Sequence, residues 1–313
     1  MTTCLLLLSA LALVAPENGA SVSVQTPVKL AWQGETNAVY LLNISRAGGG
    51  GQMFAVSNRT SVSAANLEIG SRYDWQVRQA GSLDSVSAMF TTTDVGPRPL
   101  HAEGVGNFRD AGGWRTEDGR RVRQNRILLS ASLWRPEKGG LGSFARPVQD
   151  GLRLITDEGI ATMRAEFDIR TDLHLRNDRG GSRADVSALG ENVAWRSVPF
   201  ESGDRIDRVT CGRESFAKVF DILTVGENYP ILIEGGNGRD CVDTLAFLLN
   251  GLLGVSEKDL RKGWTSSPEL YRALVAYLMQ FPGETLRARI EAYAHGCGVS
   301  DRELAAFRAL ALE

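Results

Sequence analysis

Apolar and polar positions alternate in short runs over the first hundred residues: Val28-x-Leu30-x-Trp32, then residues 39–44, then Tyr73-x-Trp75-x-Val77 and Ser87-x-Met89-x-Thr91. A two-residue period puts every second side chain on one face, so each run reads as a half-buried β-strand. Turn formers separate the runs, at Glu35-Thr36-Asn37, Gly48-Gly49-Gly50-Gly51 and Ala80-Gly81-Ser82. Short strands at this spacing predict a small all-β sandwich over residues 21–96. Beyond residue 100 the pattern changes. Residues 229–234 form a short apolar strand, residues 235–240 a glycine-rich turn, and residues 242–253 a largely apolar helix closed by Gly254. Residues 106–123 are rich in turn formers, and residues 165–172 read as a strand end running into a loop.

Composition divides the chain at the same place. Residues 1–100 hold six Lys/Arg and six Asp/Glu, and the remaining 213 residues hold 29 and 31. The step falls at residues 95–99, where Pro97 and Pro99 bar a regular helix or central strand, and it predicts a second domain over residues 97–313. The formal net charge of −2 gives no global field that would favour nucleic acid or an anionic membrane surface.

Residues 4–15 are small or apolar throughout and precede Pro16. That run is too short to span a bilayer but matches the apolar core of an export leader, so residues 1–20 are expected to be a signal peptide and the mature chain to be exported without a membrane span. The leader lacks an N-terminal Lys or Arg, and the alternative is a buried first strand or helix. Cysteines at 4, 211, 241 and 297 show no metal-ligand spacing, and removal of a leader would leave an odd number, so no disulfide framework is expected. The three histidines, at 101, 174 and 295, show no ligand spacing either.

Strand, glycine-rich turn and helix together aim backbone N–H groups and a helix N-terminus at an anion. The turn lacks the Lys-Ser/Thr ending of an NTPase phosphate loop. Two resemblances sharpen the picture. The spacing Leu67-x-x-Gly70-x-x-Tyr73, with Trp32, resembles the fibronectin type III family; no aromatic cluster or charged constellation stands apart from ordinary core, so a spacer or docking module is expected, the alternative being a carbohydrate- or partner-binding role. Residues 107–122 (beginning Asn107, Phe108, Arg109, Asp110), residues 168–172 and the strand-loop-helix with its flank at 244–257 resemble the bacterial tyrosine-phosphatase family related to dual-specificity and phosphoinositide phosphatases. That resemblance covers about residues 104–312 and implies an α/β fold, a parallel sheet flanked by helices, with no metal or cofactor.

In that family the loop reads H-C-x-x-G-[K/A]-D-R-T-G. A thiolate attacks phosphorus, the loop arginine grips two oxygens, and an aspartic acid protonates the leaving group. Here the nucleophile position is Gly235, the arginine position Cys241, the histidine position Glu234, and the closing Thr-Gly is Val242-Asp243. Gly238 and Asp240 keep the motif, and Arg239 stands for Lys or Ala. Upstream, Leu128-Leu129-Ser130 replaces Tyr-Arg-Ser.

The implied phosphate-binding residues are therefore Gly235, Gly236, Asn237, Gly238, Arg239 and Asp240. Arg109, Asp110, Asp168 and Arg170 are supporting residues: the first two either a brace or a ligand contact, the last two either ligand contacts at a central strand end or an ion pair with another loop. Glycine has no side chain to attack with, and Glu234 and Asp243 add negative charge near an anion loop. The expectation is a catalytically impaired, exported pseudophosphatase that binds or scaffolds, its partner a phosphorylated protein or phosphate-bearing small molecule. The alternatives are an active phosphomonoesterase on phosphotyrosine, phosphoserine/threonine or phosphoinositides, with Cys241 as a substitute thiol, and an adhesion protein whose sandwich does the binding. The arginines at 115, 120, 121, 123 and 126 are expected to form a solvated hairpin face.

Overall fold

A computed structural model describes residues 11–93, 96–133, 155–175, 186–200 and 212–313. Residues 1–10 of the apolar N-terminal run, with Cys4, and Cys211 and Val95 lie outside the described residues. Contacts divide the chain into two units, Met1–Val95 and Gly96–Glu313.

The first unit contains β1 (Ala12–Ala15), β2 (Ala20–Val22), β3 (Val28–Gln33), β4 (Val39–Arg46), β5 (Gly51–Ser57), β6 (Ser61–Ala64), β7 (Arg72–Gln79) and β8 (Ser85–Thr92). They form a three-stranded sheet, β1-β3-β6, and a five-stranded sheet, β2-β8-β7-β4-β5. The alternating side chains Leu30 and Trp32, Tyr40, Leu42 and Ile44, and Trp75 and Val77 fill one core between them. Trp32 meets Tyr40 edge-on at 5.2 Å. The Tyr73 hydroxyl accepts a hydrogen bond from the Glu68 N–H at 2.8 Å, tying the start of β7 to the turn before it.

The sandwich begins before residue 21. Ala12–Ala15 pair antiparallel with β3, Leu13 lying opposite Trp32, and Leu11 and Leu13 pack against the sandwich core. β2 joins β8 in parallel. Residues 12–15 form a short, partly buried edge strand whose Leu13 closes one side of the core.

The second unit contains β9 (Arg98–Pro99), β10 (Arg109–Asp110), β11 (Ile127–Ser130), α1 (Asp157–Phe167), β12 (Thr171–His174), β13 (Ala194–Ser197), α2 (Arg213–Leu223), a 3-10 turn (Gly226–Asn228), β14 (Ile231–Glu234), α3 (Cys241–Leu253), α4 (Glu257–Gly263), α5 (Pro268–Leu278), α6 (Leu286–Gly296) and α7 (Asp301–Ala311). The sheet order is β13-β12-β14-β11-β10-β9. Its first four strands are parallel, with Ser130, His174 and Glu234 level at their C-terminal ends. Ile231 and Ile233 face one core and Leu232 the other, as do Ile127 and Leu129 against Leu128. Covering on both faces is why these strands read as unbroken apolar runs rather than alternating ones. The domain is an α/β fold.

Two local expectations change. Residues 165–167 end helix α1, whose Ile160, Met163 and Phe167 are buried at helical spacing; Asp168 then turns the chain in a left-handed conformation, and β12 starts only at Thr171. The arginine-rich hairpin does more than face solvent. Arg123 donates from its backbone N–H to Ala311 O at 2.8 Å and from Nε to Leu312 O at 2.7 Å, and the Glu313 N–H donates to Arg121 O. Two of the five arginine positions thereby hold the C-terminal residues, and Arg126 lies over the Tyr229 ring.

Candidate functional site

Strand β14 delivers Glu234 to the C-terminal edge of the sheet, residues 235–240 turn, and α3 starts at Cys241. The glycines are required where the turn is tightest. Gly238 has φ +75°, and a Cβ there would lie 2.5 Å from Ala131 N. Gly236 also has positive φ, +48°, but faces open space. At Gly235 an added Cβ would stand 3.3 Å from Leu175 Cβ and 3.5 Å from Val242 Cγ2, close contact that a small shift accommodates.

The turn bonds to itself and its surroundings. Gly238 N–H donates to Gly235 O at 2.7 Å, Arg239 N–H to Asn237 Oδ1 at 3.1 Å, Asp240 N–H to Ser266 Oγ at 2.6 Å and Val242 N–H to Arg239 O at 2.9 Å. Outside donors hold the carbonyls: Asn107 Nδ2 bonds Asn237 O, and Ser132 N–H bonds Gly236 O. Asp240 sits at φ 41°, ψ −94°, a conformation a side-chain-bearing residue keeps only when its neighbours dictate it. Its N–H is held by Ser266, and its carbonyl accepts from Thr244 N–H at 2.8 Å.

Arg109, on β10, is a brace. Its guanidinium donates to Asn107 O and Gly238 O, each at 2.9 Å, and to Asp243 Oδ1 at 2.5 Å. Burial pulls its pKa below the ordinary arginine value, and the facing Asp243 carboxylate opposes that shift. Asp243 also accepts from Thr265 N–H and from the hydroxyls of Thr265 and Ser266. Asp110 points elsewhere: it accepts from Arg98 Nη1 at 2.6 Å and from the N–H groups of Gly112 and Asn125, both at 2.7 Å, in a buried pair.

Glu234 is fully buried, accepts from the Leu133 N–H, and lies 2.9 Å from His174 Nδ1. The two acids that the sequence adds to the loop are thus each taken up by a neighbour, Glu234 by His174 and Leu133, Asp243 by Arg109. They are not bare charges facing an anion. His174, scattered by sequence position, is brought to the loop because β12 and β14 are adjacent and parallel.

Asp168 and Arg170 do not join this group. They precede Thr171, at the N-terminal end of β12, whereas the loop follows the C-terminal end of β14. The two pair with each other at 2.6 Å, both solvent-exposed. Reading residues 165–172 as a strand end leading out of the sheet put them at the wrong edge.

Arg239 is exposed on the turn. Cys241, half-buried and in no disulfide among the described residues, is the first residue of α3. Among the described residues no cluster of three or more His, Cys, Asp or Glu stands close enough to hold a metal ion, and no helix is long and apolar enough to cross a membrane.

Among curated proteins nothing matches the chain. Solved structures similar to it include the core catalytic domain of the PP-IP phosphatase SIW14 from S. cerevisiae in complex with citrate, at 14% identity and a TM-score of 0.33, covering 60% of this chain and 88% of that one. A structure of the Siw14 catalytic core is similar at 16% identity and a TM-score of 0.33, covering 60% and 87%. The sequence profile described as the tyrosine phosphatase family matches residues 100–313, about two thirds of the chain, and the chain belongs to that family.

Proposed function

We propose that this protein is a catalytically silent member of its family, a pseudophosphatase that binds or scaffolds. The carrying observation is the turn itself: glycine stands where the family has its nucleophile, and the N–H groups of Gly238, Arg239, Asp240 and Val242 are bonded within the protein. Loss of a nucleophile costs on the order of 10⁶ in turnover in an unrelated hydrolase. Amides engaged in turns must first be released before they can cradle a phosphate. The ligand class that family membership suggests is a phosphorylated protein or a phosphate-bearing small molecule, with Arg239 an exposed cation on the turn itself.

The second reading is an active phosphomonoesterase using Cys241. A helix N-terminus acidifies a thiol, and Cys241 begins α3. Against it, the position is the one from which the family's arginine reaches the phosphate, and Arg109 is already committed to Asp243.

Hydrolysis of an aryl phosphate by the purified protein separates the readings. The silent reading expects none; turnover abolished by Cys241→Ser would refute it. The double change Gly235→Cys with Cys241→Arg is expected to create measurable hydrolysis, since a Cβ at 235 nearly fits. Calorimetric titration with phosphate and vanadate tests retained anion binding, and no heat at millimolar ligand would leave a scaffold role alone.

Export and a fibronectin type III-like role for the sandwich belong to the same proposal. They are supported by the apolar N-terminal run and by the Tyr73 and Trp32 contacts. Mass spectrometry of the natural protein is expected to show a chain beginning near residues 15–20; an intact Met1 would refute export and would leave β1 in place.

A further inference from the structure

Strand β5 closes one side of the five-stranded sheet, with β4 on its inner side and no described strand on the other. It differs from the remaining sandwich edges. β5 has seven residues, whereas β1, β2 and β6 have four, three and four. Strand β1 carries a register break between Leu13 and Ala15, but β5 runs unbroken against β4 from Ser57 to Gly51. Residues 39–45 and 51–57 include no Asp, Glu, Lys, Arg or Pro, in a chain that is 23% charged. Shortness, bulges, proline and charge are the usual guards of a sheet edge, and β5 has none of them.

The backbone direction is set by the hairpin. Arg46 N–H donates to Gly50 O, and Asn58 N–H donates to Ala38 O. Residues 50, 52, 54, 56 and 58 therefore point their amides toward β4. Since these groups alternate along a strand, the N–H and C=O of Gly51, Met53, Ala55 and Ser57 point to the open edge. Met53, Ala55 and Ser57 carry their side chains on the outer face: Met53, opposite Asn43 of β4, is 84% exposed, and Ala55 and Ser57 stand opposite the exposed Leu41 and Val39. Val56 and Phe54 face the sandwich core.

We propose that β5 pairs antiparallel with β5 of a second copy of this chain, about a twofold axis at Phe54. That axis sets Met53 opposite Ala55 and Gly51 opposite Ser57 of the other copy, and it uses every outward N–H and C=O of the strand. A register centred on another residue leaves some of them outside the pairing. The outer faces then join into one apolar strip from Leu41 of one copy to Leu41 of the other, and no charge on either β5 meets a like charge. The arrangement is isologous and closes at two, because the sheet's opposite edge is the three-residue β2. A strand of seven residues is about 24 Å long, which places the contact at the small end of specific interfaces, so association depends on concentration.

Analytical ultracentrifugation of the full chain, from low micromolar to several hundred micromolar, is expected to show the mass rising from 34.0 kDa toward twice that value. Ala55→Pro removes an outward N–H and spares the β4–β5 ladder, since an edge strand accepts proline where its N–H faces solvent. Met53→Lys puts two like-charged side chains diagonally across the axis, on residues about 7–8 Å apart. Each is expected to weaken association at least about tenfold, some 1.4 kcal/mol, with circular dichroism unchanged. If Ala55→Pro does not fold, Met53→Lys decides alone, as it touches only the outer face. A parent that stays monomeric throughout, which would leave the edge to a strand of some other protein, overturns the proposal. So do folded variants that dimerise like the parent.

Discussion

Arg109 Nη2 and Asp243 Oδ1 lie 2.5 Å apart, and both side chains are buried. The family resemblance implies a glycine at the position of Asp243. Here the carboxylate gives the Arg109 cation a partner and ties the first turn of α3 to Thr265 and Ser266, so that one substitution braces the turn from two sides.

Asp243→Ala strands a buried guanidinium and removes the acceptor for three further donors. Breaking a buried ion pair from one side costs about 3–5 kcal/mol. Urea denaturation of the variant is expected to show a loss of that size, and a loss below 1 kcal/mol would mean that the pair is open to water in solution.

The two positive-φ glycines of the turn are expected to separate. Gly236→Ala meets open space and incurs only the left-handed backbone cost of about 1–2 kcal/mol. Gly238→Ala adds a clash of its Cβ with the backbone of Ser130 and Ala131, so it is expected to be clearly the more destabilising by thermal melting. Equal melting temperatures would contradict the tight approach of the turn to β11.

At the C-terminal helix, Ser300 caps α7 in a capping box with Glu303. Ser300→Ala is expected to cost about 1 kcal/mol at neutral pH. The Ser300 hydroxyl and then its N–H, both donating to the Glu303 carboxylate, hold that carboxyl below its ordinary pKa of 4.5. A carboxylate whose pKa is lower in the folded state contributes stability above its unfolded pKa and loses it as pH falls through the folded value. The gap between parent and variant should therefore narrow as pH drops below about 4.5, which denaturation at pH 7 and pH 3 would measure; a gap that widens in acid would refute the assignment.

Tyr73→Phe removes the hydroxyl that accepts from Glu68 N–H. Its loss is expected to cost about 1 kcal/mol with the sandwich fold retained, read as a lower midpoint in guanidinium.

Much of the fold was legible in the chain. The strands of the sandwich core alternate visibly because one face of each is buried and the other wet, and the β14-turn-α3 unit stands out because its apolar strand and helix flank three glycines within residues 235–238. Strands β2, β5 and β6 are not legible and β1 only as the alternative to a leader, since an edge strand contacts the core along only part of its length and carries a weaker period. The end of α1 is hidden for a related reason: residues 165–167 cannot be told from a strand end until Phe167 is seen buried in line with Met163 and Ile160, one and two turns back.

By itself, the sequence determined the step in composition near residue 97, the family resemblance, and that position 235 carries no side chain and position 241 a thiol, because these are statements about which atoms exist. Tertiary structure alone decided what the surrounding charges do. Sequence distance hides that β12 lies beside β14, which puts His174 against Glu234, and that β10 lies against the start of α3, which puts Arg109 against Asp243. The energy of a charge depends on what stands within a few ångströms of it, and only folding sets that neighbourhood.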